Sequence, residues 1–298
     1  MSTETLEHAP TLGTLYGRAL LTARMGGDAL PDRRLELPGV RIDPSALADY
    51  AHVCGFRVGG DLPLTYPHML AFPLQMRLMT DREFPLPAPG MVHLRNVITR
   101  HRAIDVADTF TVAVHADRLV AHPKGAQVDL VTEVTVDGAG RHEAQRSWRG
   151  DHGDVVWNSR STYFVRGAHA PDAETPAPPE PDPHVGDRPH AQWTVPGDIG
   201  RRYAAVSGDV NPIHVNGLAA KAFGMPGMIA HGMWAKARVL AALEGRHGDA
   251  VTADVVFRKP LTIPSQVHLF TAAAEGGWDA ALRSRKGKDH LLLALRQH

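Results

Sequence analysis

A weak internal repeat constrains the fold of this 298-residue chain more than any other feature does. Residues 50–56 read YAHVCGF and residues 203–209 read YAAVSGD, so Tyr, Ala, Val and Gly recur at the same offsets. Two further matches are separated by the same number of residues in both halves: His68 matches His231, and VHLR at 92–95 matches VVFR at 255–258. Two similar halves imply two similar folding units, so the repeat bears on the architecture before any motif is weighed.

A proline-rich stretch separates the two copies. Residues 170–190, APDAETPAPPEPDPHVGDRPH, contain seven prolines and several acidic residues. Because proline fixes φ and lacks a backbone N–H, we expect neither a helix nor a central strand here. We therefore predict an N-terminal domain at residues 1–166, a linker at 167–190 and a C-terminal domain at 191–298. The first 35 residues of the N-terminal domain are predicted to form an extension of unassigned role.

Each half is predicted to contain a long helix followed by strands. Apolar residues recur at helical spacing from Met233 to Leu243, and Gly245 is the predicted terminator of that helix. The matching helix of the first half contains Pro73, which we expect to kink it or to move its start downstream. Segments rich in β-forming residues span 109–120, 127–136, 155–165, 251–258 and 266–273. With hairpin turns such as Asp137-Gly138, the pattern predicts an α+β fold in which each antiparallel sheet wraps its own helix.

Charge and cysteine content exclude several classes of protein. Lys plus Arg and Asp plus Glu number 32 each, which removes the nonspecific attraction to nucleic acid that a basic chain has. Cys54 is the single cysteine, so the chain cannot form an intramolecular disulfide. No basic, apolar leader opens the sequence, and no apolar run approaches the ~20 residues that cross a bilayer. We expect a cytoplasmic protein with no nucleic-acid partner and no membrane span.

Between the first two matches the second copy is ten residues longer than the first, 28 positions from Tyr203 to His231 against 18 from Tyr50 to His68, and the additional residues surround the string DVNPIH. Gly208 allows an unusual backbone angle and Pro212 disfavours helical backbone at the residue before it, so we predict a rigid turn from Asp209 to His214. On such a turn a carboxylate and an imidazole share one water or substrate oxygen near neutral pH. Phe56 stands at the matching position of the first copy, and a phenyl ring cannot transfer a proton. The sequence therefore predicts acid/base chemistry in the second half alone.

Gly232 lies at the predicted start of the central helix of the second half. The first N–H groups of a helix have no partner within it, and the helix dipole there favours developing negative charge. We interpret Gly232 as a candidate oxyanion site, although glycine at a helix start also serves close packing.

The string YAAVSGDVNPIH at 203–214, followed by AHGM at 230–233, closely resembles the signature of MaoC-like, (R)-specific enoyl-CoA hydratases. The whole chain resembles the double-hotdog members of that family, and TYPHMLAFPLQMRLM and GMVHLRN resemble their degenerate N-terminal hotdog. By this resemblance Asp209 and His214 are the catalytic pair, Asn211 supports them, and the Gly232 amide polarises the thioester carbonyl. It implies reversible addition of water to a trans-2-enoyl thioester of coenzyme A or acyl-carrier protein, giving an (R)-3-hydroxyacyl thioester.

Further residues of the second half are predicted to contact the substrate or to support the site: Tyr203, Ser207, His231, Arg258 and Lys259. Tyr203 is expected in the core with its hydroxyl in reach of the site, Ser207 in a turn or cap bond, and His231 bonded to backbone. Six basic residues of the second half either bind the phosphates of the thioester carrier or are ordinary surface charges: Arg201, Arg202, Lys221, Lys236, Arg258 and Lys259. Since no metal-ligand spacing occurs, we expect no metal, and no cofactor beyond the coenzyme A or phosphopantetheine of the substrate.

Two other functions stay open at this point. One is a thioesterase on the same scaffold; release of free thiol from enoyl-CoA would support this function. The other is a non-catalytic acyl-thioester binding module, which an intact Asp209 and His214 disfavour. Apolar residues of the first-half helix either line an acyl tunnel or pack in the core: Met69, Phe72, Met76 and Met79. A homodimer is a candidate assembly.

Overall fold

The computed structural model describes residues 1–22, 29–137, 155–172 and 178–298; of residues 20–22 it describes the backbone alone. Gly138 of the predicted hairpin turn lies outside the described residues. The described helices are α1 (Leu12–Thr22), α2 (Pro44–Cys54), α3 (Tyr66–Met79), α4 (Ile199–Ser207), α5 (Pro212–Val215), α6 (Gly217–Ala222) and α7 (Gly232–Ala242). The described strands are β1 (Ser2–Thr5), β2 (Arg33–Arg41), β3 (Val92–Arg100), β4 (Thr109–His122), β5 (Gly125–Val136), β6 (Val155–Arg166), β7 (Ala191–Val195), β8 (Val251–Phe257), β9 (Ser265–Ala274), β10 (Gly277–Ser284) and β11 (Asp289–Gln297). None of these helices combines the length and apolar character that crossing a bilayer requires.

The described strands form one sheet in the order β1-β2-β4-β5-β6-β3-β8-β11-β10-β9-β7. Neighbouring strands are antiparallel except β1 and β2, which are parallel. The two halves meet where β3 pairs with β8, with Arg95 opposite Val256 and Arg100 opposite Val251. The sheets of the two halves are thus joined edge to edge, and the predicted α+β double-hotdog fold is confirmed.

Helices α3 and α7 are the central helices of the two halves, and their side chains join one apolar core that runs through both. Each carries buried residues around nearly its whole circumference, as expected for a helix enclosed by a sheet. Pro73 lies inside α3, which already begins at Tyr66, so a downstream start is wrong. Helix α7 ends at Ala242 with Leu243 as its C-cap, so Gly245, at φ 75°, shapes the turn that follows rather than the helix end.

The internal repeat is visible in the backbone conformation. Helices α2 and α4 each end at a glycine in the left-handed region, Gly55 with φ 82° and Gly208 with φ 73°. The N–H of each glycine donates to the carbonyl four residues earlier, on Ala51 and Ala204 respectively. Residues with a Cβ are strained at such angles, so glycine recurs here because the same helix end recurs. The two copies come to differ in length after this glycine.

Lys236 on α7 corrects one sequence-based interpretation. Its side chain is fully buried, and its Nζ donates to the carbonyl oxygens of Asn96 (2.9 Å) and Ala253 (2.9 Å) and to Asn96 Oδ1 (2.6 Å). Burial holds the pKa of Lys236 well below its ordinary value. Because Asn96 lies on β3 and Ala253 on β8, this side chain fastens the joint between the two halves. The interpretation of Lys236 as a surface charge that could bind phosphate is therefore wrong.

Where the structure describes residues 167–190, it shows neither helix nor strand. Arg95 donates to the carbonyl oxygens of Pro178 (2.8 Å) and Pro179 (2.9 Å) and also holds Asp254 across the β3–β8 joint. Glu180 pairs with Arg258 at 2.8 Å. This proline-rich stretch therefore lies against the joint between the two halves.

Candidate active site

A cavity of about 410 Å³ is lined by both halves of the chain. The second half contributes Asp209, His214 and Gly232 to its wall. From the first half come the four apolar residues expected in either a tunnel or the core, and all four line the cavity: Met69, Phe72, Met76 and Met79. Polar groups capable of acid/base chemistry thus share one cavity with an apolar wall.

The turn that carries Asp209 is built by its immediate neighbours. Helix α4 ends at Gly208 in the left-handed region, which turns the chain out of the helix. Asn211 then has φ −50° and ψ 125°, outside the helical region as the following proline predicts, and its side chain accepts from Ile213 N (3.4 Å). Pro212 begins the short helix α5, which includes His214. The segment is therefore a glycine turn followed by a capped helical turn.

The Asp209 carboxylate is held by hydrogen bonds from several elements. Oδ1 accepts from Tyr16 Oη (3.0 Å) and from Asn211 N (3.1 Å), while Oδ2 lies 3.7 Å from His231 Nε2. The backbone N–H of Asp209 donates to Ser207 Oγ (3.2 Å), the turn bond expected of that serine. Burial raises the pKa of Asp209, but the histidines and these hydrogen bonds outweigh burial and leave the pKa below its usual value. The group is a carboxylate at neutral pH.

His214 is buried, with its ring held by one backbone contact. Nδ1 lies 2.9 Å from the carbonyl oxygen of Ile229, which only accepts, so we place the ring proton on Nδ1. Burial lowers the pKa of His214, partly offset by Asp209 and by the Ile229 carbonyl. The ring is therefore neutral near pH 7, and its Nε2 is the basic nitrogen.

His231 supports the turn, in agreement with the expectation that it bonds to backbone. Its Nε2 lies 2.9 Å from the carbonyl oxygen of Asp209, and its ring stacks on His214 with centroids 3.7 Å apart. Burial, followed by the neighbouring His214, lowers the pKa of His231 to about 3. A neutral ring that donates to a backbone carbonyl positions Asp209 and is a poor proton donor.

Gly232 is the first residue of α7, as predicted, and lines the cavity. A Cβ at this position would lie 3.1 Å from the ring of Phe257, so the ring and the helix backbone pack directly against each other. The N–H of a first helical residue has no acceptor within the helix. The N–H of Gly232 therefore has no partner within α7, and Gly232 lines the same cavity as Asp209 and His214.

Comparison with known proteins shows the family of this chain. The chain is 41% identical over 270 residues to 3-hydroxyacyl-thioester dehydratase X of Mycobacterium tuberculosis, covering 90% of this chain and 91% of that protein. The model of the MaoC like domain matches residues 179–279. The chain belongs to the MaoC-like dehydratase family. This chain is a hydro-lyase.

Solved structures of MaoC-like proteins share its fold. The crystal structure of HtdX from Mycobacterium tuberculosis superposes with a TM-score of 0.75 at 39% identity, covering 89% of this chain and 100% of that one. The MaoC-like dehydratase from Phytophthora capsici superposes with a TM-score of 0.66, covering 91% of this chain and 96% of that one. At 16% identity the second likeness concerns the fold alone.

The basic residues of this MaoC-like chain divide into two groups. Arg258 and Lys259 follow β8 and line the cavity, together with His290. Arg258 is paired with Glu180 of the predicted linker at 2.8 Å, and both side chains are largely exposed. The other exposed candidates lie outside the cavity lining: Arg201, Arg202 and Lys221. Of the basic residues considered as phosphate ligands, only Arg258 and Lys259 therefore line the cavity.

The cavity lining includes residues that were predicted at the site and several that were not. Tyr203 was expected in the core, and its hydroxyl does reach the site by donating to Met69 Sδ (3.4 Å). Tyr16, His68, His93 and Tyr163 were not expected at the site, yet all four line the cavity. Tyr16 belongs to the N-terminal extension, so no motif points to it. His68 matches His231 in the repeat, and that correspondence alone could have drawn attention to it.

One cluster among the described residues has the composition of a metal site. Potential ligand atoms of Asp209, His214 and His231 lie within 4.8 Å of one another. The imidazoles, however, are stacked at 3.7 Å with an interplanar angle of 27°, which sets their in-plane lone pairs side by side. Metal ligands need lone pairs that converge on one point. The arrangement fits hydrogen bonding to one small molecule better than chelation.

Proposed function

We propose that this hydro-lyase reversibly hydrates trans-2-enoyl thioesters to (R)-3-hydroxyacyl thioesters, with Asp209 and His214 as the acid/base pair. The observation that carries the proposal is one shared cavity. In it the ionised carboxylate of Asp209, the neutral imidazole of His214 and the residue Gly232 line the same space as an apolar wall. This composition suits a substrate with a polar reacting centre and an apolar tail. The name of the M. tuberculosis relative agrees with the class of substrate.

In the hydration direction, Asp209 accepts a proton from water as the water oxygen bonds to the β-carbon. The electrons of the double bond move to the thioester oxygen, where the Gly232 N–H stabilises the negative charge; one such donor is typically worth about 3–4 kcal/mol. The α-carbon then takes the proton from Asp209, so atoms and charge balance. His214 Nε2 accepts a hydrogen bond from the same water and orients it. Exchange of these two roles between Asp209 and His214 is the alternative division of labour.

The apolar wall and the basic residues of the cavity suggest where each end of the substrate binds. We assign the acyl chain to the first-half wall and the phosphates of coenzyme A or phosphopantetheine to Arg258 and Lys259. For Arg258 a phosphate would replace Glu180 as the partner. The reaction moves protons and water only, so the proposal requires no metal and no separate cofactor. A homodimer is a prediction that light scattering on the purified protein would test.

A panel of enoyl-CoA substrates tests the proposed reaction. We expect loss of the enoyl-thioester absorbance band with crotonyl-CoA and longer analogues, and the product on chiral analysis to be the (R)-3-hydroxyacyl thioester. A thiol reagent run in parallel should report no free coenzyme A. Thiol release at the rate of substrate loss would instead establish a thioesterase, and binding without turnover would establish a non-catalytic acyl-binding protein.

Chain length is expected to be limited by the far end of α3. Met79 follows His68 by eleven positions, which is roughly 16 Å along a helix. Burial, followed by Lys236, lowers the pKa of His68 to about 4, and the nearby Asp209 carboxylate partly offsets this lowering. Since His68 is thus close to Asp209, Met79 lines the end remote from the chemistry. We expect wild type to turn over octenoyl and longer thioesters, and Met79→Trp to lower kcat/KM for these while sparing crotonyl-CoA. A strict short-chain preference of the wild type would contradict this assignment.

A further inference from the structure

Tyr16 of helix α1 contacts the candidate catalytic carboxylate directly. Its hydroxyl lies 3.0 Å from Asp209 Oδ1, across 193 positions of sequence. The same oxygen accepts a hydrogen bond from the backbone N–H of Val210 at 2.9 Å. Since Val210 N donates, the single hydroxyl proton is left for the carboxylate, which only accepts. The direction of both hydrogen bonds is therefore determined.

Asp209 Oδ1 consequently has two donors, the Tyr16 hydroxyl and the backbone N–H of Asn211 at 3.1 Å. Oδ2 has no donor as close among the described residues; His231 Nε2, at 3.7 Å, instead makes its hydrogen bond to the Asp209 carbonyl oxygen. We propose that Tyr16 is a positioning residue that holds Oδ1 of Asp209 and thereby presents Oδ2 to the reacting water. The N-terminal extension is then a working part of the active site.

The packing of α1 supports this role. Leu12 lies so close to Gly208 that any Cβ on that glycine would collide with the leucine side chain. Tyr16 and Ala19, one helical turn apart, both line the cavity. Arg18 pairs with Asp81 at 3.6 Å, which ties the helix to the residues that follow α3. Helix α1 thus covers the turn that carries Asp209 and closes one side of the cavity.

The inference rests on the proposed function and is tested by Tyr16→Phe, which removes one oxygen atom. We expect kcat to fall about 10- to 100-fold with little change in KM, the scale of one hydrogen bond to a charged group. The pH profile supplies a readout that loss of packing would not give. Donation by Tyr16 is among the causes that lower the pKa of Asp209, so its removal raises that pKa. The acid limb of the kcat/KM profile should therefore move to higher pH.

Other groups face Asp209 from the elements packed around it: His68 on α3, Tyr163 on β6, Tyr203 on α4, His214 on α5 and His231 before α7. Tyr16→Phe alters none of them, so a shift of the acid limb reports on Asp209 through this one hydrogen bond. A matched control is Tyr50→Phe, because Tyr50 is buried and its hydroxyl bonds Thr65 Oγ1 at 2.8 Å. We expect Tyr50→Phe to leave the acid limb where it is in wild type.

Making Tyr16→Phe in an Asp209→Asn variant distinguishes failure of this inference from failure of the proposed function. In Asp209→Asn, adding Tyr16→Phe should cause almost no further loss of kcat, because both changes act on one group. Full activity of Asp209→Asn would remove the proposed function itself. If Asp209→Asn is inactive but Tyr16→Phe keeps the wild-type rate and pH profile, only the role of Tyr16 is lost. A rate loss with an unshifted acid limb would likewise overturn it and leave Tyr16 a packing residue.

Discussion

Replacement of Asp209 by Asn is expected to lower kcat on the order of 10²- to 10⁴-fold, the usual contribution of a positioned acid/base group. The amide keeps the shape of the carboxylate and can still accept from Tyr16, so the melting temperature should stay near wild type. What it loses is the basic oxygen that takes the proton of water in the proposed mechanism. His214→Ala should lower kcat to a similar extent, because the proposed role of the ring is to hold the same water. Steady-state rates with an enoyl-CoA substrate measure both effects.

A matched control for Asp209→Asn is Asp198→Asn, at the other end of α4. Asp198 is exposed, makes no side-chain cap bond and does not line the cavity. It should keep wild-type kcat and KM. Near-normal turnover by either Asp209→Asn or His214→Ala, with the fold intact, would contradict the proposed acid/base pair. If the double variant is no slower than the slower single variant, the two groups act as one unit.

Gly200→Ala is expected to destabilise the protein and to abolish most activity, although alanine is the better helix former. Gly200 is the second residue of α4 and is buried. A Cβ there would collide with the carbonyl oxygen of His214, a backbone atom that no rotamer change can move away. Relief requires α4 and α5 to separate, which displaces His214 from Asp209. We expect a loss of roughly 2–3 kcal/mol in the free energy of unfolding, the scale of core overpacking.

Thermal or denaturant unfolding measures this effect, and kcat measures its consequence for the site. Gly197→Ala, three residues earlier, is the matched control, since a Cβ there meets only the ring of Pro264 at an ordinary 3.5 Å. It should retain stability and rate. Helix propensity by itself predicts that Gly200→Ala stabilises the protein by about 1 kcal/mol. A stabilised, active Gly200→Ala would therefore show that α4 and α5 do not approach as closely as described.

Features predicted correctly from the sequence are those encoded by neighbouring residues. The β-rich segments at 109–120, 127–136 and 155–165 all fall within strands, because alternation and β-branching report directly on extended backbone. The backbone at Gly208 and Asn211 followed from glycine and proline chemistry. Strands β10 and β11 were not predicted. Short apolar runs such as LLLAL at 291–295 suit a buried strand or a buried helix equally, so a local pattern does not separate them.

By itself the sequence determined that the chain has two related halves and that only the second retains an Asp and a His in the extended turn. Both conclusions depend on residues close together in one string or its repeat. The tertiary structure alone decided that β3 meets β8, that Lys236 is buried at that joint, and that Tyr16 reaches Asp209. Contacts between positions so far apart depend on how helices and sheet pack against one another, and no local pattern of residue types encodes that packing.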